Sequence, residues 1–406
     1  MSAMTASPTS TVDPALPGLA EFFHSDQLSA LLGRPVYADR LRHKPGTSAI
    51  ARMRADDGGI SWLATYAPHA AVKLEKAFGR AVASGLEIEH VALPDHPGHS
   101  LVTGPIEVDH RLYKPLAPFR RLGMEHLFTD RKVRVLNYNP QRRVVFEVLH
   151  GEDRLVCKVG TAVPHADGQL LSQLSASGVP VLESVEPAGL PSSRHLQYFG
   201  WFGAGDLSTV EQGDAGAASY AAGVALALLH AQPPAFGTHR WRAPAGSLLE
   251  LVEENSLLYP ELAGRLERLR AGLEPLLRRP GRAALMHGDF SADQVLVDGS
   301  DIRLTDLDRC TYGAGASDLG SFAAVEILHR VADGPLAKGT DVLSLPRTAA
   351  MLDGYSAGPS GATDSEVLAW TIFHLLSRLS DSFRSCSPTW RQDMANDLDL
   401  MEDILW

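Results

Sequence analysis

Between Leu285 and Leu319 the chain reads LMHGDFSADQVLVDGSDIRLTDLDRCTYGAGASDL, and this stretch limits the possible folds more than any other. Val295-Leu296-Val297 and Ile302-Arg303-Leu304 are short β-branched or aliphatic runs. Asp298-Gly299 lies between them, so the spacing predicts a tight hairpin. His287-Gly288-Asp289 precedes the first run and Asp306-Leu307-Asp308 follows the second. A turn therefore brings two groups of carboxylates to one end of one hairpin. Carboxylates that close repel each other unless a cation sits between them or one is protonated. Mg²⁺-dependent phosphoryl transfer needs that arrangement.

Composition excludes several alternatives. The 406 residues predict two to three domains, and the hydrophobic fraction of 45% and charged fraction of 21% are those of a soluble globular enzyme. The net charge of −11 argues against nucleic acid as a partner. Cys157, Cys310 and Cys386 are far apart and form no paired pattern, which favours a reducing compartment over a disulfide framework. The first residues carry neither a basic start nor an apolar core, so no signal peptide is expected. No run approaches the ~20 apolar residues of a membrane span. The expected location is the cytoplasm.

Read in order, the chain opens with a Ser-, Thr-, Ala- and Pro-rich tail, expected to be disordered over residues 1–18. Leu19 to Leu32 has the apolar spacing of a short helix ended by Gly33. Strands follow at Ala49–Met53 and Ile60–Tyr66, then a helix from Pro68 to about Val82 and strand-like pieces near Glu87–Leu93 and Ser100–Val108. The pattern recurs about 95 residues later, with Leu136 and Pro140 taking the places of Leu41 and Pro45. The second copy carries Lys158 between apolar neighbours, where the aligned residue of the first copy is Leu63. From Ala215 the character turns helical, with amphipathic segments at Ala218–His230, Leu248–Tyr259, Leu262–Leu277, Leu319–Ala332, Arg347–Tyr355, Glu366–Ser380 and Arg391–Leu405. The expected domains are a cap unit at 19–115, a β-rich lobe at 116–200 and a helical lobe at 201–406.

On these residues the chain resembles the aminoglycoside phosphotransferase and choline kinase group, small-molecule relatives of the protein kinases. His287-Gly288-Asp289, Gln294 shortly after it and Asp306 after the hairpin match the group's catalytic and metal motifs. Leu229-His230-Ala231 and Ser317-Asp318-Leu319 match its framework. The resemblance covers roughly residues 130 to 405. It implies an α+β, protein-kinase-like two-lobed fold with a β-rich N-lobe and a mainly helical C-lobe. The extra N-terminal α/β cap then reads as a degenerate N-lobe without its lysine. It also implies ATP and Mg²⁺ as cofactors and a small-molecule hydroxyl as acceptor.

Phosphoryl transfer asks a protein mainly for positioning and charge neutralisation. In the roles the resemblance implies, Asp289 accepts the acceptor's hydroxyl proton. Asp306 and Gln294 hold Mg²⁺, with Asp308 at a second metal or its solvation shell. Lys158 pairs the nucleotide phosphates. The group has asparagine where this chain has Gln294; glutamine offers the same carboxamide oxygen one methylene further out, and maltokinase-like sugar kinases also carry it. The group pairs its lysine with a glutamate, for which the shorter Asp167 is the candidate. No glycine-rich loop is present, so Asn137–Arg143, with its backbone amides and Arg142 or Arg143, stands in its place. His287 is expected to hold the loop through Asp318. Phe199–Phe202 fit either beside an adenine or in the core. Trp370, Phe373, His374, Phe383, Arg384 and Trp390 fall where the group shapes its acceptor pocket, although aromatics at helical spacing more often form core.

The expected function is ATP-dependent phosphorylation of a sugar, amino sugar or aminoglycoside-like acceptor. The competing expectation is a nucleotide-binding pseudokinase that lost turnover through the Gln294 and Asp167 changes.

Overall fold

The computed structural model describes residues 13–210, 212–234, 244–278, 281–358 and 361–406. Residues 1–12 of the expected tail lie outside the described residues. Asp13 to Gly18, expected to be tail as well, are anchored instead. The Asp13 carboxylate accepts the Gly46 N–H at 2.7 Å and meets His43 Nε2 at 2.9 Å, and Leu16 is buried.

The chain forms two compact units. The first takes residues up to Val163, Pro187–Tyr198 and Asp381–Trp390; the second takes Pro164–Glu186, Phe199–Ser380 and Arg391–Trp406. The segment expected as cap and most of that expected as N-lobe thus share one unit, while Pro164–Glu186 belongs to the other.

In the first unit, Val36–Lys44, Ser48–Ala55 and Ile60–Tyr66 form consecutive antiparallel strands, and Ser100–Pro105 lies beside the third. Arg134–Asn139, Arg143–His150 and Asp153–Gly160 do the same, with Leu196–Gly200 beside their third strand. The two first hairpins close alike, at Lys44 with Ser48 and at Asn139 with Arg143. Each first strand also slips register just before Arg42 or Asn137. Both sheets contribute to a single core, with Ile50, Trp62 and Val102 from one and Tyr138, Val144 and Phe146 from the other.

Register corrects one alignment. Val145 faces Lys158, and Ile50, its counterpart in the first sheet, faces Ala64. The first sheet's second turn holds one residue more, since Ser48 pairs with Tyr66 while Arg143 pairs with Gly160. The counterpart of Lys158 is therefore Ala64 rather than Leu63, which matches Cys157. A one-residue slip exchanges the faces of a strand. Leu63 and Cys157 are both fully buried.

The second unit contains the predicted hairpin. Val295–Asp298 pairs with Asp301–Leu304, and Asp298 opposite Asp301 closes a two-residue turn at Gly299 and Ser300. Gly299 sits at φ +59°, as such a turn requires. Gly205–Asp206 adds a short outer strand. Val181 makes an isolated bridge to Leu304, with Leu304 N donating to Pro180 O at 2.7 Å and Leu182 N to Leu304 O at 2.8 Å. Ala283–Met286 pairs with Thr311–Ala314 and leads into the loop that carries Asp289.

Helices surround this framework. Gln212–His230 packs against Pro346–Ser356 through glycines: a Cβ on Gly223 would lie 2.0 Å from Met351 O, and one on Gly354 equally close to Tyr220 O. Ala316–Ala332 packs on Asp364–Arg378, whose start is fixed by a Thr363–Glu366 capping box. The expected helix at Leu19–Leu32 divides into a 3-10 turn, Pro17–Phe23, and a helix, Ser25–Leu32, because His24 is extended at φ −129°. Among the described residues no helix is long and apolar enough to cross a membrane. All three cysteines are free and buried.

Candidate active site

The strand Ala283–Met286 runs into His287-Gly288-Asp289, and three observations explain the shape of that loop. Gly288 has φ +86°, and a Cβ there would come within 2.3 Å of Arg309 O, so only glycine lets the two loops touch. Phe290 is fully buried and stacks on Phe322, with ring centroids 5.5 Å apart. Asp318, in the first turn of Ala316–Ala332, accepts the N–H of His287 at 2.6 Å and that of Gly288 at 2.9 Å.

His230 Nε2 meets the same carboxylate at 3.0 Å, and its Nδ1 meets Tyr355 Oη at 2.8 Å. Burial alone would push the Asp318 carboxyl up. The hydrogen bond from His230, the charges of His230 and His287 and the Gly288 N–H outweigh that and hold it below its ordinary value. Asp318 therefore fixes the loop, as expected, but through the backbone of His287 rather than its ring. The ring's Nε2 is 2.8 Å from Thr305 O and ties the loop to the end of the hairpin.

At that end Thr305 N donates to Gln294 O at 3.0 Å, which sets Gln294 beside Thr305-Asp306. Gln294 Nε2 donates to Asp293 Oδ2 at 2.8 Å, so its carboxamide oxygen remains the group able to ligate. Asp306 is left-handed, at φ +60° and ψ +42°, a conformation that aspartate tolerates better than most side chains. Asp308 lies in the 3-10 turn Leu307–Arg309 that follows. Two carboxylates and a carboxamide are hard oxygen donors and suit Mg²⁺. The described residues hold no group of three His, Cys, Asp or Glu that could make a metal centre alone.

Asp289 has two partners that sequence reasoning missed. Arg309 Nη1 lies 3.1 Å from Oδ2, and Arg378 Nη2 lies 3.4 Å from Oδ1 and 3.3 Å from Ser321 Oγ. Arg309 directly follows the Asp-Leu-Asp triplet, a signal that was available. Arg378 comes from a distant helix and carried none. One turn earlier on that helix, His374 Nε2 meets Ser317 Oγ at 3.0 Å. Burial, then the charge of Arg378, pushes the His374 imidazole down to about 3, so it is neutral near pH 7.

The residues expected to hold phosphates divide between the units. Lys158 is half-buried on Asp153–Gly160, between fully buried Cys157 and Val159. Arg142 is exposed at the hairpin turn, where Gln141 is left-handed at φ +58°. That turn is held by Asp109, whose Oδ2 accepts Gln141 N at 2.8 Å and Tyr138 Oη at 2.7 Å. Asp167 belongs to the second unit and caps the helix Gly168–Ala176, accepting Leu170 N at 2.9 Å.

The expected acceptor-pocket positions divide too. Trp370, Phe373 and His374 form a ring cluster in the second unit. Phe383 and Trp390 pack with Phe23 in the first, which makes them core. Phe202 lies under the Arg303 guanidinium, 4.9 Å from its ring centroid.

A model of the phosphotransferase enzyme family matches residues 141–350. No curated protein matches the chain. Among solved structures, amicoumacin kinase hAmiN in complex with AMP-PNP, Ca²⁺ and Ami superposes with a TM-score of 0.52 at 15% identity, covering 72% of this chain and 95% of that one. Aminoglycoside phosphotransferase APH(4)-Ia gives 0.50 at 13% identity, covering 71% and 98%. The family match spans half of the chain and includes His287-Gly288-Asp289, Gln294 and Asp306. The chain belongs to the phosphotransferase enzyme family and is a small-molecule kinase with a protein-kinase-like α+β fold.

Proposed function

We propose that the protein transfers the γ-phosphoryl group of ATP to a hydroxyl of a sugar, amino sugar or aminoglycoside-like molecule, with Mg²⁺ as the metal. The observation that carries this reading is the joining of two loops at one hairpin end. Asp289 sits on a loop that Asp318 fixes, and that loop touches Arg309, in the segment after Asp306. The structural relative with bound AMP-PNP and Ca²⁺ supports a nucleotide and a divalent cation here.

In this reading Asp289 accepts the acceptor's hydroxyl proton and orients its oxygen. Each of its carboxylate oxygens has one arginine contact and keeps a lone pair for the incoming hydroxyl. Asp306 and the Gln294 carboxamide oxygen would hold Mg²⁺, with Asp308 beside them; the ion would neutralise charge on the nucleotide phosphates. Lys158 and Arg142 act on those phosphates. Asp167 caps the helix Gly168–Ala176 through the Leu170 N–H. The reaction belongs in the cytoplasm, in keeping with three free cysteines.

A coupled ADP-release screen over sugars, amino sugars, aminoglycosides and amino alcohols tests this directly. An acceptor-dependent rate that disappears in Asp289→Asn while ATP binding persists supports the reading. Mg²⁺-dependent thermal stabilisation by ATP with no acceptor-dependent rate in any class would favour the pseudokinase instead.

A further inference from the structure

We infer that the nucleotide phosphates are held at the Asn137–Arg143 turn by two side chains, Arg42 and Arg142, and not by backbone amides. This rests on the kinase reading, which puts the phosphates at that turn, and it adds Arg42 to the site.

The tip of the turn has already spent its amides. Pro140 carries no N–H. The Gln141 N–H goes to Asp109 Oδ2 at 2.8 Å, and the Arg142 N–H goes to Asn139 O at 3.0 Å. A loop that cradles phosphate through its backbone leaves such donors pointing at the anion. Turning the Gln141 N–H outward would take a donor from the Asp109 carboxylate, which is 1% exposed, and that loss is costly for a buried charge.

Side chains therefore supply the donors. Arg142 is exposed at the tip. The first sheet brings a second guanidinium to the same place, with Arg42 Nη1 donating to Pro140 O at 3.3 Å. A bulge precedes it: Arg40 and Leu41 together oppose Ala51, and Arg40 is left-handed at φ +54°. Bulges re-aim the side chains around them. The counterpart of Arg42 in the second sheet is Asn137, so the repeat does not by itself call for an arginine here.

Charge supports the pairing. Arg42 is half-buried, and burial pushes its guanidinium below the ordinary value. The charges of Arg142 and Arg111 push the same way, and that of Asp109 opposes them. Asp109 is also committed to Tyr138, Gln141 and the N–H groups of Arg111 and Leu112. An anion relieves such crowding of like charges, and the planar guanidinium fork matches phosphate oxygens in bidentate fashion. The pair thus reads the polyphosphate of the nucleotide and not its base.

Equilibrium titrations of the full chain with AMP-PNP and Mg²⁺, with inorganic tripolyphosphate and with adenosine test this. Arg42→Gln keeps a donor for Pro140 O and removes the charge. It is expected to raise the Kd for AMP-PNP and tripolyphosphate about tenfold, the worth of one charge-assisted contact, with the adenosine Kd little changed. Arg142→Gln should do the same. Arg42→Lys, an ammonium without the fork, should lie between wild type and Arg42→Gln, and it serves alone if the glutamine variant does not fold. An unchanged tripolyphosphate Kd in either folded Arg42 variant overturns the inference. So does an adenosine Kd that rises in step, because Arg42 then only shapes the turn. Acceptor-dependent ADP release with unchanged nucleotide binding in the Arg42 variants would leave the kinase reading standing without this inference. Phosphate-selective weakening with no ADP release for any acceptor would do the reverse.

Discussion

The buried carboxylate of Asp318 lies 3.0 Å from His230 Nε2, and the same carboxylate takes two backbone N–H groups of the loop that carries Asp289. The end of one helix, the start of another and the Asp289 loop thereby share one anchor. Removing one partner of a buried pair costs about 3–5 kcal/mol because the other is left unpaired. Asp318→Ala should therefore lower the Tm sharply, and Asp318→Asn less so.

That carboxyl is held below its ordinary value of 3.8 in the folded state, so its stabilisation is present above that value and is lost as pH falls through the folded-state pKa. Thermal melts from about pH 6 to pH 2 should show the wild type losing its advantage over Asp318→Asn below pH ~4. Parallel curves for the two proteins would show that the carboxylate contributes nothing through its charge.

Asp289→Asn keeps the side chain's shape and removes the proton acceptor. A general base contributes about 10²–10⁴-fold, so acceptor-dependent ADP release should fall by that factor while the Kd for AMP-PNP stays within a factor of about two. A rate within tenfold of wild type would assign the proton to another group.

Gly288→Ala puts a Cβ 2.3 Å from Arg309 O at a residue with φ +86°. The strained backbone alone costs about 1–3 kcal/mol, and relief requires the Asp289 and Arg309 loops to part. Activity should fall further than the loss of stability explains, as read by kcat at temperatures where the variant is fully folded.

Gly223→Ala sets two effects against each other. Helix propensity favours alanine by about 1 kcal/mol, but the new Cβ would lie 2.0 Å from Met351 O. Overpacking of this kind costs about 1–3 kcal/mol, so the Tm should fall. A rise would mean that the two helices separate without cost.

Asp109→Asn presents an amide N–H to donors. The Asp109 oxygens accept from Tyr138 and Gln141 on one side and from Arg111 N and Leu112 N on the other. A loss of about 1–3 kcal/mol is expected. Because Gln141 shapes the turn that carries Arg142, the KM for ATP should rise several-fold and that for the acceptor should not.

The hairpin, its turn and the carboxylates at its end were legible because their signals are local. Alternating apolar runs, Asp298-Gly299 and the motif residues all lie within one short stretch, and local spacing survives whatever packs around it. The duplicated strand pattern was legible for the same reason, yet its fine alignment was not. The longer second turn makes Ala64, and not Leu63, the counterpart of Lys158, and only backbone pairing records such a slip. Asp167 is a similar case: only the structure records that it caps the helix Gly168–Ala176.

By itself the sequence determined the fold class, the strand order of the hairpin and the residue types able to transfer a phosphoryl group. Tertiary structure alone decided what surrounds Asp289. Arg378 comes from a helix far along the chain, and Arg309 reaches Asp289 because Gly288 lets two loops touch. Packing sets that charge environment, since electrostatic interaction depends on distance through space and not on separation along the chain.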